Sequence, residues 1–78
     1  MIPQIDLHGV KHENVGSTLD SFIWEHMQKK SSAIHIITGN SPEMKRIVTE
    51  IAKEYGFDVA DSFGNEAQMT LQIGRAHV

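Results

Sequence analysis

The stretch "AIHIITGNSPE", residues 33–43, decides the fold. Its first six residues are mostly apolar and β-favouring, and they read as a strand. Gly39 and Asn40 supply a tight turn. Ser41 is an N-cap, Pro42 takes the first helical position, and Glu43 falls in the first turn. A strand that passes through a short glycine turn straight into a helix is α/β grammar.

Upstream, residues 2–8 read as another strand. Ile5 and Leu7 point to one side and Asp6 and His8 to the other, because side chains alternate along a strand. Gly9 follows, and residues 12–30 read as a helix whose stripe is Val15, Leu19, Phe22, Ile23 and Met27. Gly16 inside it costs up to about 1 kcal/mol against alanine, so a packing reason is expected there. "KKSS" ends the helix.

Downstream, Met44, Ile47, Val48, Ile51 and Tyr55 form the second stripe, and Gly56 is a helix stop. "FDVADSF" (57–63) reads as a third strand with Phe57, Val59 and Phe63 on one face. "GNE" turns the chain. "AQMTLQI" (67–73) is the fourth strand, with Met69 and Leu71 inward and Gln68, Thr70 and Gln72 outward.

The order is β-α-β-α-β-β. Three strands have one apolar and one polar face, whereas a doubly wound sheet covered on both sides needs near-continuous apolar strands. The expected fold is therefore α/β: a two-layer sandwich, with a four-stranded mixed sheet and two helices on one face. Ile5, Leu7, Leu19, Phe22, Ile23, Ile47, Val48, Ile51 and Met69 are expected to be buried, and Trp24 to be core or core-edge.

Seventy-eight residues make one small domain, taken as residues 1–73. The end of the chain, "IGRAHV", reads as translated sequencing-adapter sequence, so residues 74–78 are expected to be a non-native tail. There is no cysteine, which excludes disulfides and thiolate zinc sites. The apolar stretches are far too short to cross a membrane and no signal peptide is visible, so a cytoplasmic location is the default. A net charge of −3 counts against a protein that grips nucleic acid by bulk charge alone.

The first two strands are joined through a helix and so run parallel. His8-Gly9 and Thr38-Gly39 then lie at one C-terminal edge, where open α/β sheets bind ligands. Both helices start toward that edge, and helix N-termini attract phosphate. Lys11, His12, Lys45 and Arg46 fall just after the two glycine turns. A carboxylate beside an imidazole suits Asp6 and His8 to general acid–base work, but D-x-H spacing alone is a weak signal, and an exposed pair at a strand end fits it too. His12 and His26 read as solvated helix-surface groups. His35 falls mid-strand and could share a face with His8, but no metal site is assigned.

"IDLHGV" before an amphipathic helix, then "IHIITGN" leading into a second helix, resembles the Smr (small MutS-related) domain over about residues 4–72. The family's L-D-x-H-G strand end appears as Ile5-Asp6-Leu7-His8-Gly9. Its T-G-x-G turn appears as Thr38-Gly39-Asn40-Ser41, with Ser41 where the second glycine stands. Only Gly64 remains of the glycine-rich turn before the last strand. The resemblance implies a fold similar to the C-terminal domain of translation initiation factor three, DNA or RNA as partner, and in many members endonuclease activity. It makes Asp6 and His8 the candidate cleavage residues. Gly9, Thr38 and Gly39 would shape the substrate edge. Asn40, Ser41, Lys11, Lys45 and Arg46, at or just after the two glycine turns, are taken from their position as further candidate nucleic-acid contacts.

Three functions follow. One is a nucleic-acid-binding Smr-like domain that cleaves or nicks RNA or DNA. In a metal-free route His8 moves a proton and Asp6 orients it; in a metal-assisted route Asp6 holds a divalent ion, and the sequence does not choose. The second is an inactive interaction module that docks on a larger nucleic-acid-processing complex. The third is a small phosphate-ligand binder at residues 38–41, although that turn lacks the length and lysine of a P-loop. None of the three involves a membrane.

Overall fold

A computed structural model describes residues 2–62 and 65–73. The elements run β1 (Gln4–Asp6), α1 (His12–Gln28), β2 (Ala33–Ile37), α2 (Pro42–Tyr55), β3 (Asp58–Ser62) and β4 (Asn65–Gln72). The sheet order is β1-β2-β4-β3. β1 and β2 are parallel, with Ile5 opposite Ile36; β4 is antiparallel to both β2 and β3. This is the expected mixed α/β sandwich. None of the described helices is long and apolar enough to cross a membrane.

One core holds it together. Ile34 and Ile36 of β2 lie opposite Leu71 and Met69 of β4, and all four are buried. Val15, Leu19 and Ile23 of α1 and Met44, Val48 and Ala52 of α2 close over them in the same cluster. Both helices therefore cover one face. Full burial of each large aliphatic side chain is worth about 1.5–3 kcal/mol. Across the helix layer, the Tyr55 hydroxyl donates to Asp20 at 2.9 Å. Burial and that bond push the Tyr55 phenol above its ordinary pKa.

The second helix begins and ends as its residues dictate. The Ser41 hydroxyl accepts the Met44 N–H at 3.1 Å, Pro42 stands at the start, and Gly56 closes the helix with φ 80°. The first helix begins differently: Lys11 is its N-cap and offers no capping side chain.

Several expectations are corrected. β1 is shorter than 2–8: the Leu7 N–H still donates to the Ile37 carbonyl of β2 at 2.9 Å, but His8 already belongs to a turn. α1 stops at Gln28, two residues early. Ile5, Phe22, Ile47 and Ile51 are only half-buried and pack at the rim of the core. Ile5 lies on an edge strand, which neighbours on one side only. Met27 and Trp24 are exposed, Trp24 by 56%: Trp24 lies round the helix from the Leu19–Ile23 stripe, and Met27, although on that stripe, falls in the last turn of α1. β4 starts at Asn65 and not at Ala67. Phe63, the Gly64 turn and residues 74–78 lie outside the described residues.

The packing reason expected at Gly16 is not there, because a Cβ added at that position meets nothing within 4 Å. Gly16→Ala should therefore raise stability by about 0.5–1 kcal/mol, the helix-propensity difference. The check is a higher urea midpoint at unchanged m. An unchanged or lower midpoint would mean that this helix needs the glycine.

Candidate functional site

Two turns build the site. The first joins β1 to α1: the Val10 N–H donates to the Leu7 carbonyl at 2.9 Å, and Gly9 holds φ 89°. A positive φ at the third position of a four-residue turn favours glycine. Asp6 Oδ1 accepts the His8 backbone N–H at 3.0 Å, which fastens the start of the turn. This is a local side-chain turn of the kind aspartate favours.

The second turn joins β2 to α2. The Ala67 carbonyl of β4 accepts the Thr38 N–H at 2.8 Å, the Gly39 N–H at 3.1 Å and the Thr38 hydroxyl at 3.3 Å. Thr38 is buried, and its hydroxyl also donates to the Gly39 carbonyl at 2.8 Å. The turn is thus bolted to the sheet. Gly39 holds φ 69°, and a Cβ there would lie 3.8 Å from Cβ and Cδ2 of His8. The two turns meet at this point: the His8 side chain lies against Gly39.

Between them opens a concavity of about 880 Å³. It takes in His8 to Glu13 from the first turn and the start of α1, and Thr38 to Ser41 with Met44 from the second turn and α2. Of the residues singled out in the sequence, His8, Gly9, Lys11, Thr38, Gly39, Asn40 and Ser41 are brought together here. Asp6, Lys45 and Arg46 do not line it.

Asp6 stands behind His8, its Oδ1 3.8 Å from Nδ1, and both side chains are well exposed. Asp6 ends β1, and His8, already in the turn, sets its side chain against Gly39. Arg46 is clasped by Glu43 and Glu50, the latter at 2.9 Å. The bond from Arg46 holds the Glu43 carboxyl below its ordinary pKa, and the same pairing raises the Arg46 guanidinium. Its charge is already offset. Lys11 is the exposed lysine on the lining, and Glu13 is the carboxylate there.

Val10, His12, Glu13 and Met44 are lining residues that the motifs did not point to. His12 is exposed, as expected of a solvated group, but it opens α1 and so faces this concavity. The signal was its place one residue past the helix cap. His35 is half-buried in mid-strand, between Gln4 and Thr70. Among the described residues, no three His, Cys, Asp or Glu side chains converge closely enough to hold a metal ion.

Compared with known proteins, the chain matches no family model, no curated protein and no solved structure.

Proposed function

We propose that this chain is a Smr-like nucleic-acid-binding domain that cleaves RNA or DNA at the concavity, acting in the cytoplasm. The observation that carries the reading is the convergence of the IDLHG and TGNS turns, with His8 seated on Gly39 and Lys11 beside it. Two helix starts border the opening, where backbone N–H groups favour phosphate oxygens. His8 is exposed, has a carboxylate partner and is free to move a proton at a phosphodiester.

A second reading is an inactive module that docks on a larger nucleic-acid-processing complex. Two observations favour it: Glu13 lies on the lining, and Arg46 spends its charge within α2.

The test is binding of single-stranded RNA, duplex DNA and branched DNA across a salt series. Phosphate contacts make log K fall linearly with log salt. Lys11→Ala should lower that slope by about one, the share of one phosphate contact. Arg46→Ala should leave it unchanged. Binding that ignores salt, or a slope that Lys11→Ala does not alter, would move nucleic acid away from this concavity.

A further inference from the structure

His8 lies in the turn after β1, His12 is the first residue of α1, and both border the same concavity. Both are exposed. Lys11, also exposed, lies between them in the chain, on the same lining. The groups facing them are few. Asp6, at the end of β1, approaches Nδ1 of His8 at 3.8 Å. Glu13 of α1 lies on the lining, and Glu43 of α2, clasped by Arg46, is close enough to His12 to respond to its charge.

A site with two imidazoles can remove one proton and deliver another in a single displacement. Resting on the nucleic-acid reading above, we propose that His12 is the second proton-transfer group of this site. Together, His12 and His8 cleave RNA by attack of the ribose 2′-hydroxyl. His8, with Asp6 3.8 Å behind its ring, is assigned the donor role, and His12 the acceptor role.

In this step the 2′-oxygen bonds to phosphorus as its proton passes to the neutral ring of His12. The bond from phosphorus to the 5′-oxygen breaks, its electron pair leaves with that oxygen, and His8 supplies the proton. The products are a 2′,3′-cyclic phosphate and a 5′-hydroxyl. No metal, water or redox partner is consumed. His12 ends protonated and His8 neutral, and exchange with solvent resets both. Lys11 faces the non-bridging phosphate oxygens. DNA, which lacks the 2′-hydroxyl, is bound but not cut.

The experiment compares a single-stranded RNA with the same strand carrying 2′-deoxyribose at the scissile nucleotide, under single-turnover conditions in EDTA. The full chain, His12→Ala and His12→Gln are assayed for cleavage and for binding. The expected result is a cyclic-phosphate product from RNA and none from the deoxy strand. Cleavage should fall by at least about 100-fold in both variants at unchanged binding. The rate–pH profile should be bell-shaped in the parent and lose one limb in His12→Ala. Equal cutting of the deoxy strand, a requirement for divalent metal, or variants that cut at the parent rate would overturn the relay and leave nucleic-acid cleavage standing. RNA that binds and is never cut would overturn the relay and favour the docking module. RNA that does not bind would overturn both the relay and the reading beneath it.

Discussion

Replacing His8 with alanine is expected to slow phosphodiester cleavage by about two to four orders of magnitude, the range for a proton-transfer group. Binding should stay nearly intact if, as proposed, Lys11 and the two helix starts hold the phosphates. The fold should stay intact as well. The His8 side chain is 71% exposed, and its backbone N–H, which Asp6 accepts, survives the change. Asp6→Asn should cost less than His8→Ala. Asparagine keeps an oxygen for that N–H, and Asp6 stands behind His8 and off the lining of the concavity. The measurement is single-turnover cleavage alongside a thermal melt. If His8→Ala unfolds the domain, His8 holds the turn and carries no chemistry. If it cuts at the parent rate, the chemistry lies elsewhere.

The largest loss of stability is expected at Ile36. It is fully buried in a central strand, with Ile5 opposite on one side and Met69 on the other. Ile36→Ala should cost about 2–5 kcal/mol, combining lost transfer energy with the cavity left behind. A domain this small has little to spare, since total stabilities run about 5–15 kcal/mol and short chains bury proportionately less surface. Trp24→Ala is the contrast: Trp24 is exposed on the outside of α1, and the change should stay within about 0.5 kcal/mol. Urea unfolding reads both. An Ile36→Ala cost below 1 kcal/mol would mean that the core is not centred on β2.

The architecture was legible because each element announced itself locally. Ser41, Pro42 and Gly56 bracket α2 with cap and stop chemistry, and the helix starts and ends where they say. The two-layer arrangement followed from the alternation of Gln68, Thr70 and Gln72 with Met69 and Leu71. The helix faces were read less well. Periodicity marks a stripe but neither its width nor where the core beneath it ends, so it does not tell that Trp24 lies beside the stripe or that Met27, at the end of α1, lies past the core.

The site was legible as two turns, because a shared strand polarity fixes which edge they reach. Most of the lining was legible with them, His8, Gly9, Lys11 and Thr38 to Ser41, while Asp6, Lys45 and Arg46 fall outside it. Asp6 is off the lining because it ends β1 behind His8, with its Oδ1 accepting the His8 backbone N–H. Arg46 departs because Glu43 and Glu50 fall three and four residues away on the same helix face. His12 reads as a solvated helix-surface group, since nothing about a lone histidine after a lysine says that a second turn, far along the chain, borders the same concavity.

The central claim is that nucleic acid occupies the concavity between the two turns. Its most direct test is an amide chemical-shift titration of the labelled full chain with a short single-stranded RNA. The account predicts saturable shifts confined to residues 8–13 and 38–44, weakened by added salt. Shifts centred on Trp24 and Met27, shifts on the open face of the sheet around His35 and Thr70, or no saturable shift at low salt would contradict it.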